Sequence, residues 1–137
     1  MTQDSIRRKV RGYFLKKPEV LSAYLYGSQA SGAFRKDSDV DIAVVLKPAR
    51  NLQSFAKILK YRSGLEDLLK KDVDVIVVNN ADRFLALQVF SKGMPVYESN
   101  HARAEDYKWR LVAEAWDYLP TKRIFDDAAL ERLRHGY

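Results

Sequence analysis

The sequence contains no cysteine and only two histidines, His101 and His135, among its 137 residues. Without thiols the chain can form neither a disulfide nor a thiolate metal centre. Two histidines are also too few for a histidine-rich zinc site. These absences argue against a disulfide-stabilised scaffold and against the common kinds of zinc site.

Long hydrophobic runs are absent as well. No stretch approaches the ~20 apolar residues of a membrane-spanning helix. Residues 1–12, MTQDSIRRKVRG, lack the apolar core of a secretory signal, so no membrane association and a cytoplasmic location are expected. Hydrophobic residues at 47% and charged residues at 31% of 137 residues fit one globular domain with a modest core.

The formal net charge of the chain is +6, which raises the question of nucleic-acid binding. No dense basic run with interleaved aromatic residues occurs, although such runs are typical of nucleic-acid grooves. Direct nucleic-acid binding is therefore not expected, and most Lys and Arg residues are interpreted as a solvated surface. Part of the positive charge would also suit a site for a nucleoside triphosphate.

Helical and strand-like patterns alternate along the chain, which predicts an α/β fold with a small mixed sheet and packed helices. The predicted helices cover residues 4–17 (capped by Asp4 or Ser5), 51–70, 81–91, about 100–119 and 126–133. The predicted strands cover residues 20–26, 39–46, 75–78 and 94–97, the last at an edge because Pro95 cannot donate a ladder hydrogen bond. Residues 1–99 are predicted to form the core, and residues 100–137 a C-terminal helical extension of the same domain.

The helix predicted over residues 51–70 has an apolar stripe that should face the sheet. Its expected members are Leu52, Phe55, Ile58, Leu59, Leu65, Leu68 and Leu69.

The chain is organised around residues 23–46, where Gly27-Ser28 is followed after ten residues by Asp39-Val40-Asp41. Strand alternation places Asp39 and Asp41 on one face, about 7 Å apart, while Val40 and the next alternate residues point into a core. Two neighbouring acids favour a divalent metal ion with oxygen ligands. A Gly-Ser turn can hold a phosphate through free backbone N–H groups. A metal ion beside a phosphate indicates nucleotide chemistry.

A third acid follows in the segment DVDVIVVNN, where Asp74 opens a predicted strand. If that strand pairs with residues 39–46, three carboxylates converge on one point. Asp72 is the alternative ligand, but it lies one pleat further outside the sheet, so Asp74 is the favoured third member of the site.

This pattern resembles the nucleotidyltransferase superfamily of the DNA polymerase beta type. Within it, residues 5–98 look most like the minimal nucleotidyltransferases (MNT proteins), the antitoxin partners of HEPN toxins. The resemblance implies that Gly27 and Ser28 bind the phosphates of ATP. It also implies that Asp39, Asp41 and Asp74 are the catalytic acids and hold two Mg²⁺ ions, and Asp74 is expected to assist as a base.

The resemblance further implies that the chain transfers AMP from ATP to a tyrosine hydroxyl of a cognate HEPN toxin. Two alternatives stay open: an antitoxin that neutralises its toxin by binding alone, and a nucleotidyltransferase that acts on a small-molecule acceptor. Many MNT proteins carry Arg three positions after the Ser. Here that position is Ser31, and Arg35 or Lys36 is a candidate replacement. Arg132 and His135 stand too close together for the Arg and His of a HEPN toxin.

The helix predicted to end near residue 119 carries two apolar strips. One contains Trp109, Val112, Ala113 and Trp116, and the other contains Tyr107, Leu111, Ala115 and Tyr118. One strip is enough to face the core of a small domain. The second strip is therefore predicted to bind the toxin or a second copy of the chain in a homo-oligomer. The alternative is that packing on the helix of residues 81–91 covers both strips.

Overall fold

The computed structural model describes residues 2–27, 39–117 and 131–134. The elements, in chain order, are α1 (Gln3–Leu15), β1 (Val20–Tyr26), β2 (Val40–Leu46), α2 (Ser54–Leu69), β3 (Val73–Val77), a 3-10 turn (Val78–Asn80), α3 (Arg83–Lys92), β4 (Met94–Glu98) and α4 (His101–Trp116). The mixed α/β class predicted from the sequence is confirmed. Within the described ranges, no helix has both the length and the hydropathy needed to cross a membrane.

The four strands form one mixed sheet in the order β3-β2-β1-β4. Strand β1 pairs antiparallel with both β2 and β4, whereas β2 and β3 run parallel. The parallel pair requires a long crossover, and α2 supplies it. Strand β4 lies at an edge, as the missing N–H of Pro95 predicted.

Strand alternation gives the sheet two apolar faces, and helices cover both. Val40, Ile42 and Val44 point to the first face, as predicted, and belong to one buried cluster with residues of α1 and α2. The buried residues of these helices are Ile6, Val10, Phe14, Tyr61, Leu65 and Leu69. Ala43 and Val45 point to the second face, which α3 and α4 cover.

The structure corrects two expectations about the first face. Thr2, rather than Asp4 or Ser5, caps α1, since its hydroxyl accepts a hydrogen bond from the Ser5 N–H at 3.1 Å. In α2, the expected core residues Phe55, Leu59 and Leu68 are 76%, 50% and 39% exposed, whereas Tyr61 is fully buried.

Fewer residues of α2 are buried than predicted because only a narrow line of its side chains faces the core. Tyr61, Leu65 and Leu69 recur every four residues and form a single narrow line along α2. The Tyr61 ring packs edge-on against the Phe14 ring, with 5.4 Å between the ring centroids, and the Tyr61 hydroxyl donates to the Glu19 carboxylate. Tyr61, which has an apolar ring and a polar hydroxyl, therefore occupies the centre of the buried side of α2, where the spacing of apolar residues predicts aliphatic side chains.

The second strip of α4, predicted to be an interface, faces the core of its own domain. Leu111 is 4% exposed and Ala115 is 1% exposed, and both belong to the cluster that α3 and α4 form over the sheet. The interface prediction is wrong for these residues because α3 covers that side of α4. Tyr118 lies outside the described residues. Of the predicted segment 126–133, only residues 131–133 are described, and they are helical.

Candidate active site

The parallel register of β2 and β3 places Asp41 directly beside Asp74. Adjacent strands are about 4.8 Å apart, so the two residues are nearest neighbours. Val40 and Val73, the residues before them, are buried on the face covered by α1 and α2, so both acids project from the other face. Asp72 lies outside the strand, and its backbone carbonyl accepts a hydrogen bond from the Val40 N–H at 3.0 Å.

Asp39 immediately precedes β2 and is exposed, as is Asp74, whereas Asp41 is partly buried between them. Burial raises the pKa of the Asp41 carboxyl above its ordinary value, and the charges of Asp74 and then Asp39 raise it further. The three acids therefore lie close enough to repel one another. The structure thus brings together the three acids that the sequence singled out.

Gly27 directly follows β1 and lies on the other side of Asp41 from Asp74, since its neighbour Tyr26 pairs with Asp41 across the sheet. Its backbone has φ = +65°, and a Cβ added there would lie 2.5 Å from Asp41 Oδ2. Only glycine adopts this backbone conformation at low cost while leaving room for the carboxylate. Gly27 therefore brings bare backbone against the acids.

The other residues predicted near this turn lie outside the described residues. They are Ser28, Ser31, Arg35 and Lys36.

Tyr26 is a member of the site that the sequence reasoning missed. Burial, followed by the charges of Asp41 and Asp74, raises the pKa of Tyr26 to about 12. Its phenol therefore keeps its proton at neutral pH and offers an O–H donor near the acids. The feature of the sequence that could have indicated Tyr26 is its position directly before Gly27. Antiparallel pairing of the two strands that flank the loop aligns this position with Asp41.

The donor set fits a divalent metal ion. Among the described residues, no ion pair balances Asp41 or Asp74. Three carboxylates of which one is partly desolvated carry an electrostatic cost that a cation would remove. Carboxylate oxygens are the ligands that Mg²⁺ prefers.

A second group of metal-capable side chains lies at the start of α4. Ligand atoms of Glu98, His101 and Glu105 are within 4.8 Å of one another. His101 Nδ1 lies 2.9 Å from Glu98 Oε1, and this hydrogen bond raises the pKa of His101. The two Glu105 oxygens accept hydrogen bonds from Lys108 Nζ at 2.9 Å and from Trp109 Nε1 at 3.2 Å. These partners account for the group without a metal ion.

Comparison with known sequences gives the family. The sequence profile of the family described as Polymerase beta, Nucleotidyltransferase matches residues 8–102. A protein of Methanocaldococcus jannaschii that carries the name protein adenylyltransferase is 31% identical over 96 residues, which are 70% of this chain and 99% of that protein. The protein adenylyltransferase MntA of Shewanella oneidensis is 31% identical over 80 residues, which are 58% of this chain and 55% of MntA.

Solved structures share the fold. A crystal structure of a toxin-antitoxin with AMP-PNP aligns at a TM-score of 0.64 and 21% identity, covering 85% of this chain and 89% of that chain. A complex of tri-AMPylated Shewanella oneidensis HEPN toxin with MNT antitoxin aligns at 0.65 and 20% identity, covering 85% and 88%. With the three acids at one end of the sheet and the profile match over residues 8–102, the chain belongs to the polymerase beta nucleotidyltransferase family.

Proposed function

We propose that this chain is a magnesium-dependent nucleotidyltransferase that transfers AMP from ATP to a tyrosine hydroxyl of a cognate HEPN toxin, with release of pyrophosphate, and so acts as its antitoxin. The observation that carries the proposal is the register of β2 and β3, which sets Asp41 beside Asp74 with Asp39 and Gly27 adjoining. Relatives named protein adenylyltransferases support it, as does the fold shared with an MNT antitoxin in complex with an AMPylated HEPN toxin.

Asp39, Asp41 and Asp74 would hold two Mg²⁺ ions. When bound, such ions neutralise charge on the phosphoryl and leaving-group oxygens and lower the pKa of an attacking hydroxyl. Gly27 leaves the space beside Asp41 free for a phosphate, and Ser28 would donate to that phosphate. Asp74, the more exposed of the paired acids, would accept the proton of the incoming hydroxyl.

The exposure of the acids supports a protein as the acceptor. Asp39 and Asp74 are both exposed. A hydroxyl on the surface of a folded protein can therefore reach them without entering a closed cavity. Enzymes that bind small molecules bury most of the ligand surface in a preformed pocket. An open site beside a sheet end suits a large acceptor better.

The test uses the purified full chain, ATP, MgCl₂ and the HEPN-type protein encoded beside it, with intact-protein mass spectrometry as the measurement. We expect AMP adducts on a tyrosine of the acceptor. Asp39→Asn with Asp41→Asn should lower the rate by at least about 100-fold while the chain stays folded. Asp72→Asn is the control, because it removes one carboxylate two residues before Asp74 and outside β3, and it should retain transfer.

Three outcomes would change the proposal. Wild-type rates in the double Asn variant would refute the metal-binding role of these acids. A double variant that transfers no AMP yet still suppresses the toxin would favour neutralisation by binding alone. Adducts on an added small hydroxyl compound, with the toxin unmodified, would favour a small-molecule acceptor.

A further inference from the structure

The positive charge of the chain is concentrated at its start. Residues 2–17, which contain α1, include six Lys or Arg residues and a single acid, Asp4. Helix α4 has three basic and three acidic residues, and two of its ion pairs close within the helix: Lys108 with Glu105 at 2.9 Å and Arg110 with Asp106 at 3.1 Å. Helix α1 has far fewer acids to balance its basic residues.

Three arginines of α1 line a groove of about 560 Å³ against edge strand β4. Arg7, Arg8, Arg11 and Asp4 form its helical side, and Pro95 and Val96 form its other wall. Arg7 lies 3.7 Å from Asp4, with both side chains solvated. Within the described residues, Arg8 and Arg11 form no ion pair.

This arrangement is electrostatically unfavourable in the free protein. Arg7 and Arg11 are four residues apart, so their like charges lie on the same side of the helix and repel each other. Carboxylates of a partner would relieve that repulsion. The guanidinium fork matches a carboxylate with two parallel hydrogen bonds, which a lysine cannot provide. The groove therefore fits an anionic ligand that offers several carboxylates.

The groove also lies near the catalytic end of the sheet. Pro95 pairs with Tyr24, and Met94 pairs with Leu25, two residues before Gly27. Strand β4 is separated from β2, which carries Asp41, by β1 alone. At about 4.8 Å per strand, β4 and β2 are about 10 Å apart within the sheet. The groove is on the α1 side and the acids project from the other face, so a partner would reach both around the β4 edge, within the footprint of one bound protein.

We propose that this groove docks an acidic surface of the protein that receives the nucleotide, an inference that rests on the proposed function. The observations favour a protein over a nucleic acid. Among the described residues that line the groove, none is aromatic and able to stack on a base. The apolar wall of Pro95 and Val96 beside arginine is typical of a protein interface.

The test measures binding alone, without ATP or metal, by fluorescence anisotropy on the full chain. The probes are a labelled poly-glutamate peptide and a labelled single-stranded RNA of equal length. Arg8→Glu with Arg11→Glu should weaken peptide binding by about tenfold or more. The matched control is Lys9→Glu with Lys16→Glu, which makes the same charge change at two exposed residues that do not line the groove, one within α1 and one at its C-cap. It should change the affinity by less than about twofold.

Equal losses in the two double variants would overturn the proposal, because binding would then follow net charge rather than the groove. Tighter binding of the RNA, lost only in the groove variant, would overturn it in favour of a nucleic-acid site. Circular dichroism melts of both variants establish that they are folded. This assay measures binding and not AMP transfer. A negative binding result therefore does not contradict the proposed activity, and a negative transfer assay does not contradict a positive binding result.

Discussion

The two ends of the sheet differ in whether their polar side chains are paired within the described part of the chain. Where β2 and β3 begin, Asp41 and Asp74 lie side by side, and no ion pair balances either of them among the described residues. Where β2 ends, the Asn79 side chain completes the ladder. Its Oδ1 accepts from the Leu46 N–H at 2.8 Å, and its Nδ2 donates to the Leu46 carbonyl at 2.9 Å.

The same Asn79 amide also donates to the Tyr107 hydroxyl at 2.9 Å, which ties α4 to this end of the sheet. The Asn79 side chain is therefore hydrogen-bonded within the chain, whereas Asp41 and Asp74 have no balancing ion pair among the described residues, and a bound cation would supply the missing positive charge. Local conflict of this kind is expected at functional sites, and full satisfaction is expected at positions that hold the fold together. Removal of a polar side chain should accordingly destabilise the chain at the Asn79 end and stabilise it, in the absence of metal, at the Asp41 end.

The largest effect is expected for Asn79→Ala. It would leave both backbone groups of buried Leu46 and the Tyr107 hydroxyl without this partner, at a cost of about 2–4 kcal/mol in the free energy of unfolding. Asn80→Ala is the matched control, because its amide donates to the Ser54 hydroxyl at 2.6 Å in a solvent-exposed hydrogen bond, and its loss should cost under about 0.5 kcal/mol. Urea denaturation measures both variants. Equal effects would mean that the Asn79 contacts do not hold this end of the sheet.

Gly27→Ala should have the next largest effect, at the Asp41 end. The positive φ and the 2.5 Å approach of the new Cβ to Asp41 Oδ2 predict a loss of about 1–3 kcal/mol and displacement of that carboxylate, with impaired transfer. Gly12→Ala is the control, because a Cβ there meets nothing within 4 Å, and it should stabilise α1 by about 0.5–1 kcal/mol. Thermal melts and AMP transfer are the measurements. Unchanged transfer in Gly27→Ala would show that the close approach is not needed.

The sequence predicted that the three acids lie close together, because that prediction needed only the alternation of strand residues and one strand pairing. Asp39, Asp41 and Asp74 follow from period-two spacing and one strand pairing. Tyr26 and Asn79 could not be found that way, because their roles depend on which residue lies opposite on the neighbouring strand. A sequence without a register does not contain that information.

Helix faces were the weakest part of the prediction for a related reason. Apolar spacing identified α2 and α4, but it does not say how many helices cover each side of the sheet. The apolar spacing predicts that Phe55 lies in the core, but it is exposed; it predicts that Leu111 lies in an interface, but it is buried under α3. Both errors concern packing partners rather than helix formation, and long-range packing decides them.

Asp41→Asn is expected to have the smallest effect on stability, and to raise it rather than lower it. Burial, then Asp74 and Asp39, hold the pKa of Asp41 above its ordinary value of 3.8 in the folded chain. The folded state therefore binds this proton more tightly than the unfolded chain does, so stability falls as pH rises from the ordinary value through the raised one. The variant lacks this penalty. At pH 7 without divalent metal it should be more stable than wild type, by up to about 1 kcal/mol because the site is partly solvated.

Denaturation of wild type and Asp41→Asn between pH 4 and pH 8 in EDTA measures this difference, with Asp72→Asn as the matched loss of charge. The difference in stability between Asp41→Asn and wild type should be largest at pH 7. It should shrink as pH falls through the raised pKa, because wild-type Asp41 then becomes neutral as well. Adding MgCl₂ should reverse the order, since a cation that binds only the folded wild-type site stabilises it by mass action. A gap that is independent of pH and of magnesium would mean that Asp41 contributes through packing, and the contrast between the two ends of the sheet would not be electrostatic.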